Sequence, residues 1–281
     1  MTLALFFWWI DIWEREPLHE IVLRLFWGSI LASVYVALFS SIIPKDSVWK
    51  SPIIEEFVKG LGVLFIFSRH YPFENKASSK KDREETISFP YSHVIDIVRQ
   101  STRGEKEMDT PLDGIIYGSM IGLGFSLMEN SLDYALFSGS TTEMLNQIFL
   151  RSIVFGFSHA MFTSFIGMGV GYSREFTGIA KAIFPTLGFI LAVIFHISHN
   201  YYLGLSLIHA IMMYIFGVLL IMTIIMLYLK QERDWLYEEL LDEIRRDILT
   251  KELVDLICSF GFRLKVDWKR IFEDDILWKE K

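Results

Sequence analysis

The chain has 281 residues, of which 52% are hydrophobic and 15% are aromatic, and its mean hydropathy is +0.36. A soluble domain of this length could not bury so much apolar surface, so the composition predicts a lipid bilayer as the solvent. The formal net charge is −7, but the charged residues lie mainly in 69–111 and 230–281, so the average describes neither these segments nor the apolar remainder. A single cysteine, Cys258, excludes an internal disulfide and a cysteine-rich zinc module.

Six apolar runs predict transmembrane helices. Residues 21–43 would extend about 34 Å as a helix, enough to cross a hydrocarbon core of about 30 Å. The other runs lie at 52–68, 112–137, 147–172, 179–201 and 205–229. The opening stretch 1–13 is too short for a standard span, but we favour it as a seventh helix, retained because it lacks the features of a cleavable signal. We therefore expect an all-α fold, a polytopic helix bundle with six to seven spans.

Lysine and arginine in the connecting segments predict the orientation. The segments 44–51, 138–146 and 202–204 contain only Lys45 and Lys50, whereas 69–111, 173–181 and the tail are richer in basic residues. Because cytoplasmic segments carry the basic excess, we expect the loop 69–111 and the tail 230–281 in the cytoplasm.

Residues 1–229 then form a membrane domain, and the loop 69–111 has the composition of a partly disordered segment. In the tail, apolar residues recur at helical spacing among charges, which predicts an amphipathic cytoplasmic helix. This helix lies either on the membrane surface or against the loops of its own bundle. The recurring residues are Trp235, Leu236, Leu240, Ile244 and Ile248.

Polar and ionisable side chains lie inside four successive predicted spans. A charge at the bilayer centre costs about 2.5–3.5 kcal/mol on insertion scales, so such residues are functional candidates. Glutamate and histidine are the side chains of acid–base catalysis and of zinc binding. Structural ion pairs and interhelical hydrogen bonds would explain any one of them, but explain poorly why all four helices contribute. The set comprises Glu55, Glu56, Lys59, Glu129, Asn130, His159, His196, His199 and Asn200.

Helical spacing divides these residues into faces. Glu55 shares a face with Lys59, and His196 shares one with Asn200, because residues four apart lie side by side on a helix. Glu56 lies about 100° around the helix from Glu55. One glutamate is therefore expected to perform chemistry while Lys59 neutralises the other, and spacing leaves open which is which.

Four motifs resemble those of the PrsW-type intramembrane proteases. P-I-I-E-E-F-V-K at 52–59 resembles the family's E-E-x-x-K, and 113–130 resembles its glycine-rich helix ending in F-x-x-x-E-N. Residues 158–172 are similar to its histidine helix, and H-I-S-H-N at 196–200 is similar to its H-x-x-x-N. The related CAAX prenyl endopeptidases and Abi proteases have a histidine where this chain has Glu129, which favours the PrsW branch.

The resemblance implies peptide-bond hydrolysis within or beside a prokaryotic cell membrane, with Glu55, Glu56 and His159 as essential groups. It also implies a membrane-anchored protein substrate, such as an anti-sigma factor. Beyond this substrate and the lipid bilayer we expect no nucleic-acid partner.

Two mechanisms satisfy the needs of peptide hydrolysis. In the first, a glutamate of the pair is the general base, His159 orients the water, and His196 and Asn200 donate to the oxyanion. In the second, which we favour, Glu129, His159 and His196 bind zinc and a glutamate of the pair takes the proton from water. Lys59 and Asn130 are expected to support the site.

Two non-enzymatic alternatives stay open. A proton-coupled transporter also places glutamate, histidine and asparagine near the bilayer midplane, although no internal repeat is apparent in the sequence. A membrane scaffold or receptor acting through 69–111 and the tail would tolerate loss of the buried glutamates.

Overall fold

A computed structural model of the chain describes residues 18–39, 49–69, 110–246, 248–259 and 261. Within these residues the regular structure is helical, which confirms the predicted all-α class. A π-helical turn, Phe149–Val154, and a 3₁₀ turn, Ser173–Glu175, follow the fourth and fifth helices. The α-helices are α1 (Leu18–Phe39), α2 (Lys50–Arg69), α3 (Pro111–Ala135), α4 (Thr141–Ile148), α5 (Ser158–Tyr172), α6 (Ala180–Leu205), α7 (Leu207–Arg245) and α8 (Lys251–Ile257).

Four helical stretches among the described residues are long and apolar enough to cross a membrane. They are Pro111–Ala135, Thr141–Tyr172, Lys181–Leu205 and Leu207–Arg245. Helices α1 and α2 coincide with two further predicted runs, and the total of six spans stays a prediction. The suggested seventh helix at 1–13 and residues 70–109 of the predicted loop lie outside the described residues.

The predicted span 147–172 is not one regular helix. The N–H of Phe155 donates to the carbonyl of Leu150 at 2.8 Å, the wide spacing of a π-helix, and the α-helical pattern resumes only at Ser158. The predicted external loop 138–146 is helical from Thr141, where the Ser140 side chain accepts from the Glu143 N–H as a cap. Apolar composition did not reveal this start, because a cap sets a helix end by backbone hydrogen bonding rather than by hydropathy.

The predicted loop 202–204 is also helical. Helix α6 continues to Leu205, and the single residue Ser206 separates it from α7. The prediction ended the helix at the edge of an apolar run, but a helix continues for as long as its backbone hydrogen bonds do.

The described residues fall into two compact units, with a boundary between Ile225 and Met226 inside α7. In the second unit α7 stays helical through the predicted domain boundary at residue 230. Of the predicted amphipathic positions, Leu236 and Leu240 are buried and Trp235 is exposed. The domain boundary and the cytoplasmic location of the tail stay predictions.

Helix α3 is the centre of the first unit, since every residue from Pro111 to Ser126 is buried. Its start is fixed by a capping box, in which Thr110 and Asp113 each accept from the other's backbone N–H. Proline at the first helical position adds no cost, because its missing N–H would have had no intrahelical partner.

Glycines bring α3 against its neighbours backbone to backbone. A methyl group at Gly118 or Gly122 would collide with the carbonyl group of Thr163 or His159 in α5. Helix α3 approaches α1 in the same way, since a methyl group at Gly124 would collide with the backbone of Leu25 in α1. Small residues permit such approaches between membrane helices.

The same kind of contact joins α5 to α6, where a methyl group at Gly188 would collide with the carbonyl oxygen of Phe165. Helix α2 differs. A methyl group at its Gly60 would lie 3.6 Å from a side-chain atom of Ile166, and Gly62 faces the side chain of Leu31. Helices α1, α3, α5 and α6 are thus held together through backbone contacts, whereas these two glycines of α2 meet only side chains.

Candidate active site

The predicted site residues come together at one end of the first unit, because alternate helices run in opposite directions. Glu55 and Glu56 lie in the second turn of α2, and His159 lies in the first turn of α5. Glu129 and His196 approach the same place from the C-terminal halves of α3 and α6.

Glu56 and Lys59 form a fully buried ion pair. Lys59 Nζ lies 2.5 Å from Glu56 Oε1, and both side chains are 0% exposed. The same oxygen accepts from His196 Nδ1 at 2.8 Å. The sequence placed Glu55 on the face of Lys59, but the observed pair is Glu56 with Lys59, three residues apart. Glu56 is therefore the carboxylate that neutralises the lysine.

Lys59 also reaches His159, with its ammonium 3.0 Å from Nδ1 of the ring and 4.7 Å from the centre of the Phe125 ring. A charged ammonium can only donate, so Nδ1 accepts and a neutral His159 carries its proton on Nε2. That nitrogen lies 3.0 Å from Glu129 Oε2, close enough for a hydrogen bond but without the alignment of one.

Glu55 and His196 present two acceptors to each other. Because Glu56 accepts from His196 Nδ1, a neutral His196 has a lone pair on Nε2, and this atom lies 3.8 Å from Glu55 Oε2. The other oxygen of Glu55 accepts from Ser51 Oγ at 2.6 Å, and Ser51 lies 2.6 Å from the hydroxyl of Tyr35. Glu55 Oε2 is buried and has no hydrogen-bond partner among the described residues. Two facing acceptors favour a cation or a water molecule between them.

The site fits a divalent metal ion in donor type and in charge. Ligand atoms of Glu55, His159 and His196 all lie within 4.8 Å of one another. The site contains four carboxylates and two positively charged side chains. If all four carboxylates are ionised and the histidines are neutral, two negative charges remain unbalanced. One divalent ion would balance them. The carboxylates belong to Glu55, Glu56, Glu129 and Asp133, and the basic groups to Lys59 and Arg151. Ligation by His159 would require its hydrogen bond from Lys59 to give way.

The predicted metal set and the observed cluster differ in one carboxylate. The sequence suggested Glu129 with the two histidines, whereas the cluster of potential ligand atoms contains Glu55. Glu129 is close to His159 on one side and to Arg151 on the other, with Arg151 NH2 3.6 Å from Glu129 Oε1. Its role as a ligand stays a prediction.

Three further residues of the predicted polar set are Asn130, Asn200 and His199. Asn130 accepts from Arg151 Nε at 2.8 Å and donates to Ser126 Oγ at 3.4 Å. Asn200 is half-buried one turn beyond His196, and its role toward the oxyanion stays a prediction. His199 packs its ring edge-to-face against Phe155, with centroids 4.7 Å apart.

Sequence reasoning missed Arg151, Ser51 and Tyr35. Arg151 lies inside the predicted span 147–172, so the rule that selected the other ionisable residues should have selected it too. Ser51 precedes Glu55 by four residues, which is a usable helical spacing. Tyr35 comes from another helix, and nothing in its sequence context indicated this contact.

A family model described as PrsW family intramembrane metalloprotease matches residues 16–229, more than half of the chain. The chain belongs to this family. The match includes all four helices that supply the predicted site, and together with the apolar spans it makes the chain an integral membrane protein. The suggested relation to the CAAX and Abi proteases stays a prediction.

Three PrsW proteins illustrate the similarity. Protease PrsW of Geobacillus kaustophilus is 26% identical over 183 residues, which cover 62% of this chain and 63% of the relative. Protease PrsW of Oceanobacillus iheyensis is 34% identical over 98 residues, covering 35% and 42%. Protease PrsW of Bacillus subtilis is 23% identical over 204 residues, covering 72% and 78%. The match thus spans less than two thirds of the Geobacillus protein, and no solved structure matches the chain.

Proposed function

We propose that this PrsW family member is an intramembrane protease that hydrolyses peptide bonds of membrane-anchored proteins with the assistance of zinc. The observation that carries the proposal is the convergence of Glu55, His159 and His196 from three helices, with ligand atoms within 4.8 Å of one another. Two histidines with one glutamate are a known catalytic zinc set. When bound, zinc would polarise the scissile carbonyl group and lower the pKa of a water molecule.

The surrounding residues have distinct tasks in this proposal. Glu56 holds the His196 ring through Nδ1, as carboxylates commonly do for metal-binding histidines. Lys59 balances the charge of Glu56. Glu129, whose Oε2 is buried beside His159, accepts the proton of the attacking water. Asn200 donates to the developing oxyanion.

The cleavage position follows from the orientation. If 69–111 is cytoplasmic, the end of the bundle that holds the site is the external end. We therefore expect cleavage of a single-pass protein near its external membrane boundary, with the tail 230–281 on the opposite side. A membrane-bound anti-sigma factor is a substrate of this class.

The test combines elemental analysis of the purified full chain with cleavage of a panel of single-span reporter proteins in vesicles. Wild type should contain about one zinc per chain and cleave a reporter. Glu55→Gln should lose zinc and activity, whereas Glu129→Gln should keep zinc and lose activity. If Glu129→Gln instead lost zinc and Glu55→Gln kept it, Glu129 rather than Glu55 would be the ligand. Transport of a solute without cleavage of any reporter would overturn the protease proposal.

A metal-free glutamate protease is a second candidate, supported by the Lys59 hydrogen bond that occupies His159 Nδ1. In this form Glu55 and His196 hold a water molecule between their free acceptor atoms, and Glu55 is the general base. Full activity in a preparation with far less than one metal ion per chain would favour this candidate.

A further inference from the structure

Arg151 connects the π-helical turn to the last turns of α3. Its Nε donates to Asn130 Oδ1 at 2.8 Å, and its NH1 pairs with Asp133 Oδ2. Its NH2 lies 3.6 Å from Glu129 Oε1. Three polar side chains from one end of α3 therefore share one guanidinium group. A planar group with five donors in a fixed arrangement can serve these acceptors together, whereas a lysine ammonium acts as a point charge.

Glu129 lies between Arg151 and His159. One carboxylate oxygen faces the guanidinium at 3.6 Å, and the other lies 3.0 Å from His159 Nε2. The Glu129 side chain is 21% exposed, so water screens these charges only in part. Contacts at both oxygens restrict the rotation of a side chain that would otherwise have several rotamers.

A second contact joins the same two segments without touching Glu129. The hydroxyl of Tyr134, next to Asp133 in α3, lies 3.0 Å from Ser152 Oγ, next to Arg151 in the π-helical turn. If Arg151 only fastened the turn to α3, loss of the Tyr134 hydroxyl should resemble loss of the guanidinium.

We propose that Arg151 is a positioning residue that holds Glu129 in its orientation beside His159. The proposal rests on the proposed proteolytic function and assigns to Arg151 an effect on the chemical step. The guanidinium aligns the Glu129 carboxylate for its proton transfer, and it offsets part of the negative charge that Glu129 and Asp133 bring to the site.

The test compares R151Q, R151K and the matched control Y134F as purified full chains in vesicles. R151Q should lower kcat about 10–100-fold, the usual effect of removing an outer partner of a site residue, with KM and zinc content unchanged. R151K keeps the positive charge but lacks the planar arrangement of donors, so its kcat should lie between those of R151Q and the wild type. Y134F should keep the wild-type kcat, and thermal unfolding of all three variants reports any common loss of stability.

Two results would overturn the inference while leaving the protease proposal intact. One is wild-type kcat in R151Q, and the other is an equal fall in kcat in Y134F and R151Q, which would make Arg151 a structural tie. A wild type that cleaves no reporter would instead overturn the proposed function, and the inference with it.

Discussion

Lys59 donates to Glu56 at 2.5 Å while Glu55 turns its free oxygen toward His196 Nε2, so of two adjacent glutamates on one helix only Glu56 is in direct contact with the lysine. Two carboxylates that are indistinguishable by sequence thus divide into a counter-ion of Lys59 and a carboxylate with one oxygen that accepts no hydrogen bond among the described residues.

Glu56→Gln should destabilise the protein by about 3–5 kcal/mol, because it leaves Lys59 buried without its counter-charge. Glu55→Gln should stay folded and lose cleavage, because its buried Oε2 accepts no hydrogen bond among the described residues and lies 3.8 Å from His196 Nε2, whereas Glu56 is in direct contact with Lys59. Denaturant titration in detergent and reporter cleavage measure the two effects. Equal stability of the two variants would contradict the division of roles.

Removal of zinc should inhibit the wild type reversibly. A chelator should abolish reporter cleavage, and added zinc should restore it. His159→Ala and His196→Ala should each lose both bound zinc and activity, because each removes a proposed ligand. Elemental analysis before and after chelation checks the result, and unchanged cleavage by the metal-depleted protein would contradict it.

Asn200→Ala should reduce kcat roughly 10²–10³-fold if Asn200 donates to the oxyanion. Its effect on KM should be small, because the oxyanion exists only beyond the ground state. Steady-state kinetics on one reporter separates the two constants. A rise in KM at unchanged kcat would assign Asn200 to substrate binding instead.

Gly122→Ala should lower both stability and activity. The added methyl group collides with the carbonyl oxygen of His159. Helix α3 must therefore move away from α5 at the residue that supplies one of the proposed site histidines. Overpacking of this kind costs about 1–3 kcal/mol. Gly204→Ala is the control, because a methyl group there meets nothing within 4 Å. Wild-type activity in Gly122→Ala would show that the site tolerates displacement of α5 from α3.

Cysteines at Ser140 and Ser79 should be labelled from opposite sides of the membrane, since the positive-inside rule places 138–146 outside and 69–111 inside. Cys258 is replaced by serine first, because it is the chain's only native cysteine. An impermeant maleimide applied to intact cells and to inverted vesicles gives the sidedness. Labelling of both positions from one side would contradict the predicted topology.

The sequence predicted the helical class and the convergence of its ionisable residues. Ionisable side chains in apolar spans are costly to expose to lipid, so they face the interior of the bundle and pair with one another. It could not predict the partner of Lys59, since Glu55 at spacing four and Glu56 at spacing three are both within reach on a helix. Contacts with side chains of other helices distinguish them, since Lys59 also reaches His159 and Glu56 accepts from His196.

The interruption between Phe149 and Phe157 was beyond prediction for a different reason. Its residues are apolar or small apart from Arg151, so hydropathy treats them as an uninterrupted span. The wide turn is a property of backbone hydrogen bonding, as in the bond from Phe155 to Leu150. The contacts of Arg151 with the end of α3 are made from within this turn.

The packing of α2 differs from that of its neighbours in which atoms would have to move for the helix to shift. Helices whose backbones touch cannot slide without breaking many contacts at once, and glycines hold α1, α3, α5 and α6 in this way. Gly60 and Gly62 of α2 face the side chains of Ile166 and Leu31, which can change rotamer. Among the five helices compared, α2 is therefore the one whose glycine contacts can give way by side-chain rotation alone. Under the proposed function, a shift of α2 that admits a polypeptide would also move Glu55 and Glu56, which the same helix carries.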